Sequence, residues 1–161
     1  MKFGGKVTGA SEIIARLTRA SKIVQESSAR QIKALALETL IGSQFRAPEE
    51  TGHLVDSHRM SIQKSGRYII SIWVSVGPVY DEKGEEYSLP MHEGFANLKN
   101  PDDFPYKLGH DSEAKNTGVD HFGEGVGYKF LERSFRHVYR NALRRVNDKV
   151  STDLKTGLSR Q

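Results

Sequence analysis

Six histidines in this 161-residue chain are the side chains best equipped for metal or proton chemistry near neutral pH. His53 and His58 stand five apart across a turn, Glu93 directly follows His92, and His121 precedes Glu124 by three. None makes the i, i+4 histidine pair that sets two imidazoles on one helical face in a His-Glu-x-x-His site. A zinc site needs about three protein ligands in fixed geometry, and loop histidines meet that need only where distant loops converge. The chain has no cysteine, which removes disulfides and every thiolate metal site. No Gly-x-Ser-x-Gly elbow and no Gly-x-x-x-x-Gly-Lys-Ser/Thr phosphate loop occurs. Gly123, Gly125 and Gly127 form a cluster that follows no clear strand, so it reads as a hinge. The acidic run 81–86 lacks the ligand spacing of a calcium hand. The expectation is a protein without catalytic centre, resident metal or cofactor.

Charge is the stronger signal. Residues 1–46 carry 8 Lys/Arg against 3 Asp/Glu, residues 47–127 carry 7 against 14, and residues 128–161 carry 9 against 3. Two basic ends flank an acidic middle, a segregation suited to a subunit that meets copies of itself, since opposite patches attract and fix register. In the last helical segment Lys129, Arg133, Arg136, Arg140 and Arg144 recur every three or four residues, which predicts one row of cations. Such a row suits phosphates contacted without sequence readout, an acidic neighbouring subunit, or solvent.

The elements that carry these residues follow from periodicity. Residues 1–10 read as an N-terminal tail. Ile13, Ile14, Leu17, Ala20 and Val24, then Ile32, Leu35, Ala36, Leu40 and Ile41, predict helix over 11–46. Ser11 can cap it, residues 25–30 leave room for a break or kink, and Gly42 and Pro48 are expected to end it. His58–Gln63 and Tyr68–Val76 alternate apolar and polar residues as strands, and residues 64–67 read as their hairpin turn. Residues 95–127 are rich in Gly, Asp, Asn and Pro, and read as a long loop or arm. Phe130, Leu131, Phe135, Val138, Ala142, Val146 and Val150 predict one last helix over about 128–155, with residues 156–161 fraying as a tail. The fold class is α+β: a single domain over 1–161, with a long N-terminal helix and a C-terminal helix packed on a small antiparallel sheet. The first residues lack the apolar core of a signal peptide, and no apolar run is long enough for a bilayer, so a soluble protein made in the cytoplasm, with no membrane partner, is expected.

Three motifs then stand in order: APEETGHLVDSHR at 47–59, YSLPMHEG at 87–94 and GYKFLERSF at 127–135. Thr51-Gly52 can turn the chain sharply and return Leu54 to the core, Gly94 can end a short helix, and Phe130 with Leu131 can anchor the last helix. The series resembles the neck and tail-completion proteins of long-tailed bacteriophages, which carry Pro-x-x-Thr-Gly-x-Leu-x-x-Ser, a Tyr-rich segment ending in Glu-Gly or Glu-Phe-Gly, and Phe-Leu before a C-terminal helix. Pro48, Thr51, Gly52, Leu54 and Ser57 take the first pattern, with one extra residue after the proline; Tyr87, Glu93 and Gly94 (with His92 beside them) take the second; Phe130 and Leu131 take the third. Lys129 stands where that family usually has proline.

The resemblance implies a structural protein of the virion neck, assembled in the host cytoplasm into a closed ring of six copies. That ring would join tail to head and surround the DNA channel, in contact with connector or tail-tube proteins. Two rival readings remain from the residues themselves: a small basic nucleic-acid-binding protein, and a metal-dependent hydrolase built on loop histidines. The first lacks an interleaved aromatic platform in the sequence pattern.

Overall fold

The computed structural model describes residues 9–48, 52–65, 69–94 and 126–159. The protein is α+β, mostly helical, with one two-stranded antiparallel sheet. In chain order it contains α1 (Ala10–Arg46), α2 (His53–Asp56), β1 (His58–Ser65), β2 (Ile69–Val76), α3 (Ser88–Glu93), α4 (Phe130–Tyr139) and α5 (Ala142–Ser159). The chain divides into two compact units, one of Met1–Ile32 with Leu143–Gln161, the other of Lys33–Ala142.

Helix α1 runs without interruption through residues 25–30, where the lack of apolar residues leaves room for a break or kink. The polar residues there have partners: Ser27 is buried and its hydroxyl donates to Asp153 Oδ2 at 2.8 Å, and Arg30 donates to the same oxygen at 3.0 Å. A stretch that looks too polar for a core helix is thus the seam along which α5 packs. Ser11 lies inside the first turn rather than at its cap; Gly9, in a left-handed conformation, offers its carbonyl to Ile13 N–H at 3.1 Å. The helix continues past Gly42 to Arg46, and Ala47 still donates to the Ser43 carbonyl.

The expected single last helix is two. Helix α4 ends at Tyr139, Arg140 and Asn141 form a turn, and α5 continues to Ser159, four residues beyond the expected end. Asparagine at the break is a poor interior residue because its side chain competes for backbone hydrogen bonds. The described arm residues are Val126 and Gly127; the rest of 95–127 lies outside the described residues, as do Thr51 and residues 66–68, while Lys64 and Ser65, expected in the turn, continue β1.

The hairpin keeps the expected faces. His58 pairs with Val76, Met60 with Val74 and Ile62 with Ile72 on one side; Ser61 opposite Trp73 lies on the other. In the larger unit the core sits at the base of this hairpin. Ala47, Leu54, Val79 and Phe130 are buried together, with Val55, Val76, Tyr87, Met91 and Leu131 packed on them. The hairpin is therefore held by its root.

Candidate functional site

The three sequence motifs meet around one aromatic ring. Phe130, 0% exposed, lies between two imidazoles. His92 meets it edge-on at 4.8 Å between centroids, and His58 meets it tilted at 5.5 Å. Backbone bonds tie the same segments together: Lys129 N–H donates to the His92 carbonyl at 2.6 Å, Gly127 N–H to the Arg46 carbonyl at 3.0 Å, and Tyr87 N–H to the Val79 carbonyl at 2.9 Å.

The described motif residues have local tasks. Gly52 adopts φ 77° at the start of α2, a conformation that costs any residue with a Cβ. That turn returns Leu54 to the core. Gly94, at φ 94°, closes α3, and its N–H donates to the Met91 carbonyl at 3.3 Å. The Tyr87 carbonyl accepts from Met91, while its ring lies half-buried on the core. Leu131 packs on the same cluster.

Lys129 holds the left-handed conformation, φ 55°, the one described non-glycine residue to do so. Its backbone is fixed by His92 and its ammonium by the Glu93 carboxylate. Glu93 also accepts from His92 Nδ1 at 3.1 Å. The Lys129 bond, then the His92 bond, hold the Glu93 carboxyl below its ordinary value. Proline, whose φ is locked near −65°, cannot occupy position 129 in this backbone. The lysine there makes an ion pair to α3.

A buried polar layer lies beneath the ring, and no sequence signal marked it. Arg46 is fully buried and donates from Nη1 to Ser134 Oγ at 2.7 Å; Ser134 in turn donates to the Phe130 carbonyl at 2.7 Å. His58 Nδ1 faces the carbonyls of Leu54 and Val55, at 2.9 and 3.1 Å, which can only accept. Nδ1 therefore carries the proton, and in the neutral ring Nε2 accepts from the Ser43 hydroxyl at 2.8 Å. His58 is engaged on both nitrogens as a structural strut, an arrangement that leaves no lone pair for a metal. His53 is exposed on α2, and His121 with Glu124 lies outside the described residues. Among the described residues no three His, Asp or Glu side chains gather as a metal-binding group, and no helix is long and apolar enough to cross a membrane.

The predicted basic row does not lie on one helix. Lys129 is engaged by Glu93, Arg133 donates to the Tyr128 carbonyl at 3.2 Å, Arg136 pairs with Glu132, Arg140 sits in the turn, and Arg144 belongs to α5. The turn at residues 140–141 is the reason. Instead α4 carries an aromatic pair that the sequence pattern did not single out as a platform. Phe135 and Tyr139 stack at 5.4 Å and 17°, and both are exposed, at 54% and 58%. They sit one turn apart, so the i, i+4 spacing was the available signal.

Comparison of the chain with protein families, with curated proteins and with solved structures finds no match.

Proposed function

We propose that this chain is a non-enzymatic structural subunit of a tailed-bacteriophage particle, one that assembles with itself into a ring at the neck and helps join tail to head. The observation that carries the reading is the convergence of its three motifs. Segments 47–59, 87–94 and 127–135, separated in sequence, supply the root of one core: Leu54 and His58, then His92 and Glu93, then Lys129 and Phe130. Motifs that meet in space act as one unit, which gives their shared order a physical reason. The chemistry of the cluster also supports the reading. Arg46, Ser134, His58 and Ser43 bond one another or nearby carbonyls, with the geometry of a scaffold that fixes the root of the hairpin. The partners are other copies of the chain, six in the resemblance, together with neck, connector or tail-tube proteins. DNA in the channel is the possible nonspecific contact.

Sizing with light scattering, and particle images of the purified protein, test this. Rings whose mass is a multiple of 18.1 kDa are expected. A species that stays monomeric when concentrated, or that stops at a dimer, overturns it.

One observation favours a second reading, a nucleic-acid-binding protein: the exposed Phe135–Tyr139 stack joins aromatic faces to the exposed Arg136 on α4 and to Arg140 in the turn that follows. Salt-dependent binding of single-stranded DNA that is lost with Phe135→Ala and Tyr139→Ala would favour it over the ring.

A further inference from the structure

Helix α4 turns one side to the core and leaves a different chemistry on the other. Phe130, Ser134 and Val138, four residues apart, are buried along its inner side. At 100° per residue, Phe135 and Tyr139 stand about 140° and 180° round the helix from Phe130. Their stacked rings therefore face away from the core, and both are exposed. Arg136 and Arg140 border the stack. The Arg136 side chain is 72% exposed and reaches Glu132 through Nη2, which leaves most of its five N–H donors open. Arg140 is exposed where α4 ends, with its backbone still helical, and makes no ion pair among the described residues.

A second exposed patch lies on the turn after β2, in the same larger unit. Residues 81–86 hold Asp81, Glu82, Glu85 and Glu86 against Lys83. Glu82 is exposed and makes no ion pair among the described residues. Two large side chains flank these acids, Tyr80 and Leu89, each 57% exposed. The turn is rooted through Val79 and Tyr87, whose backbones bond each other and whose side chains join the cluster around Phe130. That root lies on the inner side of α4, while the aromatic stack faces outward, so one copy leaves both patches uncovered.

We infer that the turn 80–89 of one copy docks on the Phe135–Tyr139 face of the next, with Tyr80 and Leu89 against the rings and the acids against Arg136 and Arg140. This contact presupposes the ring proposed above and names the surfaces that anchor it. The two patches differ, as a head-to-tail contact requires. Each joins an apolar centre to a charged margin, and aromatic and arginine side chains are the ones that dominate binding at such contacts. Charge chooses the occupant. Residues 132–140 carry three Arg against Glu132, and residues 81–86 carry four acids against Lys83. Turn and helix face therefore attract, whereas two helix faces, or two turns, repel. The turn also has little chain left to order on docking, since Asp81 Oδ1 accepts from the Lys83 and Glu85 N–H groups at 2.9 and 2.8 Å. A nucleic acid fits the face less well. Its affinity grows with the number of phosphates neutralised, and here the Glu132 carboxylate already sits on Arg136.

Charge reversal in two full-length variants tests the contact. One carries Glu82→Arg with Glu85→Arg, the other Arg136→Glu with Arg140→Glu. Asp81 and Glu86, whose carboxylates bond the backbone of the turn and of α3, are left in place. Each variant alone sets like charges against each other and should self-associate at least about tenfold more weakly than wild type by light scattering. Mixed in equal amounts, the two should assemble again, because each supplies the patch that the other lacks. Native mass spectrometry should then find equal numbers of both in every ring. Circular dichroism checks that each variant stays helical, and Arg136→Gln with Arg140→Gln takes the place of the reversed pair if that one unfolds. Rings that form equally well from either variant, or folded variants that fail to assemble when mixed, overturn this contact and leave the ring itself standing. A wild-type chain that stays monomeric overturns both. Single-stranded DNA binding that is lost with Arg136→Glu and Arg140→Glu, while rings persist, gives the face to nucleic acid instead.

Discussion

Replacing Phe130 by alanine removes the ring on which the three motifs meet. The side chain is completely buried, in a cluster whose other buried members are Ala47, Leu54 and Val79, so it is the largest apolar group there. Phenylalanine-to-alanine changes in cores cost about 3–5 kcal/mol, transfer and cavity together. The site leans to the upper part of that range, because the two flanking imidazoles, His58 and His92, are fixed by their own hydrogen bonds and cannot collapse into the space. About 4 kcal/mol is a large share of the ~5–15 kcal/mol that holds a domain together. With a urea dependence of about 2 kcal/mol per molar, the unfolding midpoint should fall by roughly 2 M. Trp73, the single tryptophan, lies on β2 of the same unit and reports its unfolding, while far-UV circular dichroism reports the helices. Phe130→Leu, which keeps apolar volume and loses the ring contacts, should cost under about 1.5 kcal/mol. A loss below about 1 kcal/mol for Phe130→Ala, measured with unchanged urea dependence, would refute the view that this ring organises the unit.

Two further outcomes follow from the same site. Glu93, held below its ordinary value by Lys129 and then His92, stabilises the fold above the ordinary carboxylate value of about 4.3, and that contribution is lost as pH falls through its lowered value. Glu93→Gln should therefore flatten the decline of stability below about pH 4.3, and an acid-unfolding curve identical to wild type would contradict this. Lys129→Pro forces φ from 55° to near −65° and removes the donor to the His92 carbonyl, at a cost of about 3 kcal/mol or more; urea unfolding checks it, and a proline tolerated within about 0.5 kcal/mol would show that the segment entering α4 rearranges freely.

The sequence by itself determined the classes of element. Helical spacing from Ile13 to Ile41, alternation from Ile70 to Val76 and the apolar stripe beginning at Phe130 are properties of neighbouring residues alone and mark the type of element; they did not mark burial, since Ile13, Leu17 and Ile41 stand 61%, 65% and 52% exposed. It also marked Gly52 and Gly94, because a left-handed turn is a local backbone demand. Only tertiary structure decided where polar residues go. Residues 25–30 read as a break because their partner, Asp153, lies more than a hundred residues away. Arg46, Ser43 and Ser134 look like surface residues until the chain closes over them. The row of cations, continuous on an ideal wheel, is divided by a turn at Asn141 that apolar periodicity cannot register. Hydrophobic pattern is written in local spacing, whereas the satisfaction of a buried charge or hydroxyl depends on a partner that folding brings from elsewhere.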